Sequence, residues 1–342
     1  MTNIFVTGGA GFIGSAFVRM VLDREPDADI VNFDALTYAG NLENLSGVDT
    51  DRHHFVHGDI CDRDAVLRAL PEECDAIFNF AAESHVDRSI SSADEFLRTN
   101  IIGTQVLLDA ARERNVRRFV QISTDEVMGS LPDETDEYFT EGSPLQPNSP
   151  YAASKASAEF VVRAARETFG LDTVITRCGN NYGPRQFPEK LISLMIANAM
   201  NDQPLPVYGD GKNVRDWIFV DDHCAAIWLA YKMGRSGEAY NIGARNEQYN
   251  IDVVGSILDA LDKPHSLIRF VIDRLGHDRR YAIDPTKAET ELGWKPVATW
   301  DGGLATTIDW YRSNQAWVEH IRNGQYRDYY KAMYGESLVS GV

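Results

Sequence analysis

The sequence has little cysteine and no long apolar run. None of its apolar segments approaches the roughly 20 residues needed to cross a bilayer. Its N-terminus, MTNIFVTGGAG, lacks the basic segment and apolar core of a secretion signal. The four cysteines, Cys61, Cys74, Cys178 and Cys224, show no CxxC spacing, which favours buried thiols in a reducing compartment over metal ligands. We therefore expect a cytoplasmic protein with no metal site and no membrane partner.

Basic residues are also scarce. The chain has 33 Lys and Arg against 51 Asp and Glu, a formal net charge of −18, which opposes nonspecific binding to nucleic acid or to an anionic membrane surface. Its 342 residues, 44% hydrophobic and 25% charged, fall in the range of a globular protein with two linked domains. A site for a phosphate group must therefore be built from local positive groups.

Short apolar segments alternate with segments of helical length through the first half of the chain. The apolar runs are NIFVT, DIVNF, HFVHG, DAIFNF, RRFVQIS and DTVITRC. Nearly continuous runs of this kind are typical of parallel strands buried on both faces. We predict an α/β fold, a doubly wound parallel sheet (Rossmann) with a smaller C-terminal α/β lobe. The larger domain is predicted to comprise residues 1–180 and about 216–236, with VRDWIFV returning to its sheet, and the lobe residues 181–215 and 237–335.

A glycine-rich turn follows the first predicted strand. Gly8, Gly11 and Gly14 form GxxGxxG before a helical segment, a pattern that lets backbone amides approach a pyrophosphate. The pattern alone is common, but Asp34 ends the second predicted strand twenty residues beyond Gly14. A carboxylate there accepts hydrogen bonds from ribose hydroxyls and repels a 2'-phosphate. The sequence therefore predicts NAD rather than NADP as the cofactor.

A second pattern, SPYAASK, begins a helix. Ser149 is predicted to cap it, Pro150 to occupy its first position, and Tyr151 and Lys155 to share one face. A nearby ammonium favours the phenolate, so we expect Lys155 to lower the pKa of Tyr151. The tyrosine then accepts a hydroxyl proton while the cofactor accepts hydride.

Three reactive side chains end the fifth predicted strand. Thr124, Asp125 and Glu126 follow VQIS, and ligands collect at the carboxyl ends of parallel strands. Adjacent residues of an extended chain point in different directions, so Asp125 and Glu126 are expected to address separate atoms of one substrate, one as acid and one as base. By itself the dipeptide is more simply a solvated acidic turn; beside Tyr151 and Lys155 we interpret it as catalytic.

The motifs GGAGFIGS, DALTYAGN, AAESHVDRSI, STDEVMG, SPYAASKAS, NNYGP, FPEKLI, VYGDG, VRDW and RLGHDRRYAID occur in this order over nearly the whole chain. Together they closely resemble the dTDP-glucose 4,6-dehydratases of the extended short-chain dehydrogenase/reductase family. The resemblance implies that Tyr151, supported by Thr124 and Lys155, takes the proton of the sugar C4 hydroxyl. It further implies that Glu126 removes the C5 proton and that Asp125 protonates the departing C6 hydroxyl.

The same resemblance implies the binding residues. Those for NAD are Gly8, Gly11, Phe12, Ile13, Gly14, Asp34, Leu36, Thr37, Asp59, Ile60, Ala81, Ala82, Ser84, Thr99, Tyr151, Lys155 and Asn181. Those for the nucleotide sugar, dTDP-glucose, are Ser84, Thr124, Asn180, Lys190, Leu191, Pro206, Tyr208, Arg215, Asn250, Arg274 and His277. Arg215 and Arg274 suit a diphosphate, because guanidinium groups match phosphate oxygens. The family also pairs as homodimers through two long helices, here about residues 92–114 and 150–169.

The chain departs from the family pattern at Met128, Gly179 and Arg185, where tyrosine, serine, and tyrosine or histidine are usual. None of these removes a catalytic group, but Met128 is close enough to Glu126 to affect the fit of the sugar. Two alternatives stay open at this point: a 4,6-dehydratase or epimerase acting on a UDP- or other NDP-hexose, and a noncatalytic NAD-binding sensor. Asp125 and Glu126 disfavour the epimerase, and Tyr151 with Lys155 disfavours the sensor.

Overall fold

The computed structural model describes residues 2–49, 51–133 and 135–322. Its strands are β1 (Thr2–Thr7), β2 (Ala28–Asp34), β3 (His53–His57), β4 (Ala76–Asn79), β5 (Arg118–Thr124), β6 (Thr173–Cys178), β7 (Asn180–Tyr182), β8 (Leu205–Tyr208), β9 (Val214–Phe219), β10 (Ala239–Ile242), β11 (Glu247–Tyr249) and β12 (Ile268–Val271). Seven of them form one parallel sheet in the order β10-β6-β5-β4-β1-β2-β3. The prediction of a doubly wound parallel sheet is confirmed.

Helices cover both faces of this sheet and fill the smaller domain. They are α1 (Phe12–Arg24), α2 (Arg63–Ala69), α3 (Val86–Ser91), α4 (Asp94–Leu97), α5 (Thr104–Glu113), α6 (Pro150–Phe169), α7 (Leu191–Met200), α8 (Val220–Met233), α9 (Asn250–Ala260), α10 (Thr286–Glu291), α11 (Trp300–Ser313) and α12 (Gln315–Ile321). A π-helical segment, Arg98–Gly103, joins α4 to α5. No helix in the described ranges has the length and apolar character required to cross a bilayer.

Successive side chains of β1 point to opposite faces of the sheet, so this strand contributes to the core on both faces. Ile4 and Val6 pack with Phe17 of α1 and Ile227 of α8 on one side. Phe5, between them, packs with residues of α5 and α6 on the other. All three β1 side chains are fully buried, which is why the strand reads as a continuous apolar run rather than an alternating one.

The prediction was wrong about which segment returns to the main sheet. Val214–Phe219 (β9) lies instead in the middle of a three-stranded sheet, between β7 and β11, where Arg215 and Asp216 are buried polar groups. The seventh strand of the main sheet is Ala239–Ile242, paired with β6, although residues from 237 onward were assigned to the lobe. That strand has only four residues and a buried Asn241, so its apolar signal is weak.

The smaller domain has its own core. Residues of α7, α9, α11 and α12 pack together with the two-stranded parallel sheet of β8 and β12. Residues 323–335 of the predicted lobe lie outside the described residues. The arrangement sets this domain against the carboxyl ends of β1, β2, β4 and β5, the edge at which the fold collects ligands.

Candidate active site

One elongated cavity of about 470 Å³ lies at this edge of the sheet. With a single exception, every predicted catalytic, cofactor and substrate residue lines it. The exception is Leu36, whose side chain packs against the core beside α1 while its backbone N–H donates to Asp34 Oδ1 at 2.7 Å. Leu36 adopts a left-handed backbone conformation, with φ of 50°. Its side chain therefore does not line the cavity, and its assignment to the NAD site stays a prediction.

The glycine turn packs closely against the backbone of neighbouring segments. A Cβ atom on Gly8 would lie 2.6 Å from the backbone nitrogen of Ala81, and one on Gly14 only 2.2 Å from the carbonyl oxygen of Gly8. Helix α1 begins after Gly11 with no side-chain cap and no acidic residue in its first turn. Its first amides are therefore available to an anion and its dipole favours one. These features fit a dinucleotide pyrophosphate.

Asp34 closes the cofactor end of the cavity. Its carboxylate accepts from the backbone N–H groups of Ala10, at 2.9 Å, and Leu36, at 2.7 Å. Burial raises the pKa of this carboxyl, while the two amide bonds act in the opposite direction. The remaining acceptor capacity faces the cavity, which fits a ribose diol and disfavours a 2'-phosphate.

Helix α6, which carries Tyr151 and Lys155, begins as predicted. Ser149 Oγ accepts from the N–H of Ala152 at 3.1 Å, and Pro150 occupies the first turn. Lys155 Nζ donates to the carbonyl oxygen of Ile122 at 2.6 Å, and burial lowers the pKa of Lys155 to about 8. Burial, with Glu126 and Asp125 nearby, raises the pKa of Tyr151 well above its usual range. The net shift is therefore upward, and the expectation that Lys155 lowers the pKa of Tyr151 stays a prediction.

The acidic residues lie in a turn rather than in extended chain. Thr124 ends β5, and Asp125–Met128 form one turn of 3₁₀-helix in which Thr124 Oγ1 accepts from the N–H of Glu126 at 3.3 Å. Asp125 is buried, and burial followed by the charge of Glu126 raises its pKa well above the usual range. The pKa of Glu126 is also raised by burial, but Arg274 and Lys190 oppose that shift. This order of the two pKa shifts fits the predicted roles of Asp125 as acid and Glu126 as base.

Positive and polar groups surround the other end of the cavity. Lys190 Nζ donates to the carbonyl oxygen of Ser84 at 2.7 Å, and Arg215 Nη2 to that of Asp278 at 2.8 Å. Several buried polar atoms there make no hydrogen bond to any described residue: Asp125 Oδ2, Asn180 Oδ1, Asn250 Oδ1 and Arg274 Nε. Because buried polar groups are normally paired, these atoms fit the hydroxyl and phosphate groups of a polar ligand.

Sequence reasoning missed some charged residues of the site. Asp87 accepts from Tyr208 Oη at 3.2 Å and from Arg274 Nη1 at 3.4 Å, so it orients two predicted substrate residues. Glu189, which accepts from Tyr38 Oη at 2.9 Å, also lines the cavity. Both residues lie in motifs that carry the family resemblance, AAESHVDRSI and FPEKLI. Their place in these motifs could have identified them.

The three departures from the family pattern have different surroundings. Met128 does not line the cavity but is buried in a small core with Phe139 and Ala156. No cavity-lining position therefore supports its expected effect on the fit of the sugar. Gly179 does line the cavity, and a Cβ there would approach the carbonyl oxygen of Asp216 to 2.7 Å. Arg185 places its guanidinium 5.3 Å from the centre of the Trp310 ring.

Glu189→Gln is expected to flatten the pH dependence of stability. The Glu189 carboxylate is buried, 3.7 Å from His85 Nε2 and 3.8 Å from Arg88 Nη2, and burial raises its pKa from 4.5 to about 7. The folded state therefore binds more protons than the unfolded state in this range, and stability falls as pH rises through it. The substitution should remove up to about 3 kcal/mol of that fall.

The measurement is urea denaturation of both proteins at several pH values between about 4.5 and 7. Glu113→Gln, which alters an exposed carboxylate paired with Arg63, is the control and should keep the wild-type slope. Parallel curves for wild type and Glu189→Gln would contradict the assignment of this titration to Glu189.

Comparison with known proteins places this geometry among nucleotide-sugar enzymes. The family described as GDP-mannose 4,6 dehydratase matches residues 5–307. A dTDP-glucose 4,6-dehydratase of Xanthomonas campestris is 51% identical over 96% of this chain and 98% of its own. The dTDP-glucose 4,6-dehydratase DesIV of Streptomyces venezuelae, solved with NAD and dTDP bound, is 51% identical with a TM-score of 0.91 over 94% of this chain and all of its own. A UDP-glucose 4-epimerase of Thermus thermophilus, complexed with NAD, is 30% identical with a TM-score of 0.85 over 92% of this chain and all of its own.

Proposed function

Because the chain belongs to the dTDP-glucose 4,6-dehydratase family, we propose that Tyr151, Lys155, Thr124, Asp125 and Glu126 perform that reaction in it. The enzyme is an NAD-dependent hydro-lyase that converts dTDP-glucose to dTDP-4-keto-6-deoxyglucose. The reaction has three parts: oxidation at C4, loss of water across C5 and C6, and return of the hydride to C6 with a proton added at C5.

NAD, when bound, supplies the hydride acceptor for C4 and the donor for C6, and it brings a positive charge that favours an ionised phenol. Tyr151 accepts the proton of the C4 hydroxyl. The nearby hydroxyl of Thr124 lowers the pKa of Tyr151 against the larger opposing effect of burial, and it orients the C4 hydroxyl group. Lys155, anchored on the carbonyl oxygen of Ile122, supports Tyr151 from the next turn of α6.

The elimination uses the two carboxyl groups of the 3₁₀ turn. The C4 carbonyl acidifies the C5 proton, and Glu126, whose burial-raised pKa is opposed by Arg274 and Lys190, removes it. Asp125, whose pKa is raised further, donates a proton to the departing C6 hydroxyl. Two neighbouring carboxyls with unequal pKa values are the arrangement that acid and base catalysis at one pH requires.

One observation carries the assignment of these roles. The cavity brings the Tyr151–Lys155 pair and the Asp125–Glu126 pair to the same space, although they lie on different elements. The first pair supports oxidation of a carbinol, a step that epimerases of this fold share. Only the second pair adds a means of eliminating water, which favours a dehydratase over the epimerase alternative.

The activity is tested by supplying the purified protein with dTDP-glucose, and in parallel with UDP-glucose and GDP-glucose, without added reductant. We expect the alkaline absorbance of a 4-keto-6-deoxy sugar to appear fastest with dTDP-glucose. Product from none of the three would contradict a dehydratase, and faster turnover of UDP-glucose would move the assignment to the alternative nucleotide.

We also propose that two copies of the chain pair through α5 and α6, in the cytoplasm. The helices run as predicted, one over 94–113 with its π-helical segment and one over Pro150–Phe169. Ile102, Phe160 and Phe169 are about half exposed on them, at 54%, 58% and 52%. Large apolar side chains grouped on neighbouring helices mark an association surface. The four free cysteines support the reducing location.

Replacing Ile102 and Phe160 together with glutamate is expected to convert the dimer to monomers. Four carboxylates would then face one another across a two-fold interface, where burial of unpaired charge is costly. Sedimentation velocity measures the change in mass. Phe270→Glu, at a side chain of similar exposure (56%) on β12, is the control and should leave the mass unchanged. A double variant that still sediments as the wild type would contradict this interface.

A further inference from the structure

Behind the catalytic residues lies a cluster of three buried polar side chains, Ser123, Glu159 and Arg177. They come from the end of β5, from α6 and from β6, and are 3%, 2% and 6% exposed. Glu159 and Arg177 do not line the cavity, so neither touches the substrate. The reaction described above assigns them no part.

The hydrogen bonds within this cluster are short and directional. Ser123 Oγ donates to Glu159 Oε1 at 2.6 Å. Arg177 donates from Nε to both carboxylate oxygens, at 3.0 and 3.1 Å, and from Nη2 to Oε2 at 2.7 Å. Its third nitrogen, Nη1, lies 3.3 Å from the carbonyl oxygen of Glu141. A forked guanidinium–carboxylate pair of this kind fixes orientation as well as distance.

The cluster continues the row of catalytic residues on α6. Tyr151, Lys155 and Glu159 are spaced four apart and lie on one face of the helix. Lys155 Nζ bonds the carbonyl oxygen of Ile122 and Glu159 bonds the hydroxyl of Ser123. Two successive turns of α6 are thus tied to two successive residues of β5, directly before Thr124 and the acidic turn.

Stability alone does not account for a buried ion pair at this position. Removing two charges from water costs several kcal/mol per ion, and well-packed apolar residues of similar volume are often equally stable or more so. What an apolar pair lacks is direction, because dispersion contacts tolerate a helix sliding or turning by a fraction of an ångström, whereas forked hydrogen bonds resist it.

We propose that Glu159 and Arg177 are positioning residues that fix α6 against the end of β5. They hold Tyr151 and Lys155 in register with Asp125 and Glu126, so that the oxidation and elimination groups address one bound sugar. The inference rests on the proposed function. It predicts that loss of the cluster impairs turnover while leaving substrate affinity intact, since the groups that bind the nucleotide lie elsewhere in the cavity.

The main test variant replaces Glu159 with leucine and Arg177 with methionine, which removes both charges and leaves neither unpaired. The matched control replaces the pair at the opposite end of β5, Arg118 and Asp172, 2.9 Å apart, with methionine and asparagine. Thermal unfolding, binding of dTDP by calorimetry, and KM and kcat for dTDP-glucose are measured for both.

We expect kcat of the Glu159→Leu, Arg177→Met protein to fall by about a hundredfold, the loss associated with a 1 Å misplacement of reacting groups. Its dTDP affinity and KM should stay at wild-type values. The control should keep its kcat, even where its unfolding midpoint falls as far. Wild-type kcat in the folded double variant, or an equal loss in the control, would overturn the inference.

Ser123→Ala decides the question if the double variant does not fold. It removes the bond between β5 and Glu159, with the loss of one hydroxyl from the cavity lining, and keeps the ion pair, so kcat should fall, by less than in the double variant, with KM unchanged. Unchanged kcat would overturn the inference. Wild-type protein that forms no keto sugar would instead overturn the proposed function, whereas active wild type with fully active variants overturns the positioning role alone.

Discussion

Replacing Glu126 with glutamine is expected to stop the reaction after its first step. Glutamine preserves the size of the side chain and the turn, in which the N–H of residue 126 bonds Thr124 Oγ1, but it cannot accept the C5 proton. The Tyr151 phenol and Lys155 lie on α6 and stay in place, and loss of the Glu126 charge removes one of the causes that raise the pKa of Tyr151. The variant should therefore still oxidise C4 while eliminating water about a thousandfold more slowly, the scale of a lost general base.

The expected signature is that reduced nicotinamide builds up on the enzyme after dTDP-glucose is added. Rapid mixing and quenching measures this build-up. Wild type should show far less, because elimination drains the keto sugar and reduction at C6 reoxidises the cofactor. Glu289→Gln, which alters a carboxylate paired with Arg245 on the surface, is the control and should behave as wild type. Unimpaired elimination in Glu126→Gln would contradict the assigned base.

Asp125 and Glu126 show how far sequence reasoning reached at this site. Their position at the end of the fifth strand could be predicted because strand order fixes which side chains meet at the carboxyl edge. Their division into acid and base stays a prediction. Their local conformation was not predictable from that rule. The turn depends on Thr124, whose hydroxyl caps it, and on burial that only the packed structure supplies.

Tyr151 marks the limit more sharply. Its place on α6 followed from the cap, the proline and the spacing to Lys155, all of which are local. Its pKa did not, because that depends on burial and on two carboxylates from a different element.

Likewise the placement of β9 and β10 depended on which sheet had an open edge, and that is a property of the whole chain rather than of either segment.

Replacing Tyr151 with phenylalanine is expected to remove activity at the first step. Phenylalanine keeps the ring, which packs edge-on against Phe96 with ring centres 6.4 Å apart, and deletes only the hydroxyl. Neither Thr124 nor Lys155 can replace it, since Thr124 is too weak a base and Lys155 is anchored on the Ile122 carbonyl. We expect kcat to fall by about ten thousandfold, the upper range for a lost general base.

The decisive contrast is with Glu126→Gln. Tyr151→Phe should bind dTDP with wild-type affinity, yet produce no reduced nicotinamide when dTDP-glucose is added, because C4 is never oxidised. Tyr231→Phe, at a tyrosine packed on Phe78 away from the cavity, should leave both the spectrum and kcat unchanged. Reduced nicotinamide in Tyr151→Phe at the wild-type rate would show that another group accepts the C4 proton. The two variants together separate oxidation from elimination. This is the separation expected when Tyr151 with Lys155 oxidises C4 and Asp125 with Glu126 eliminates water.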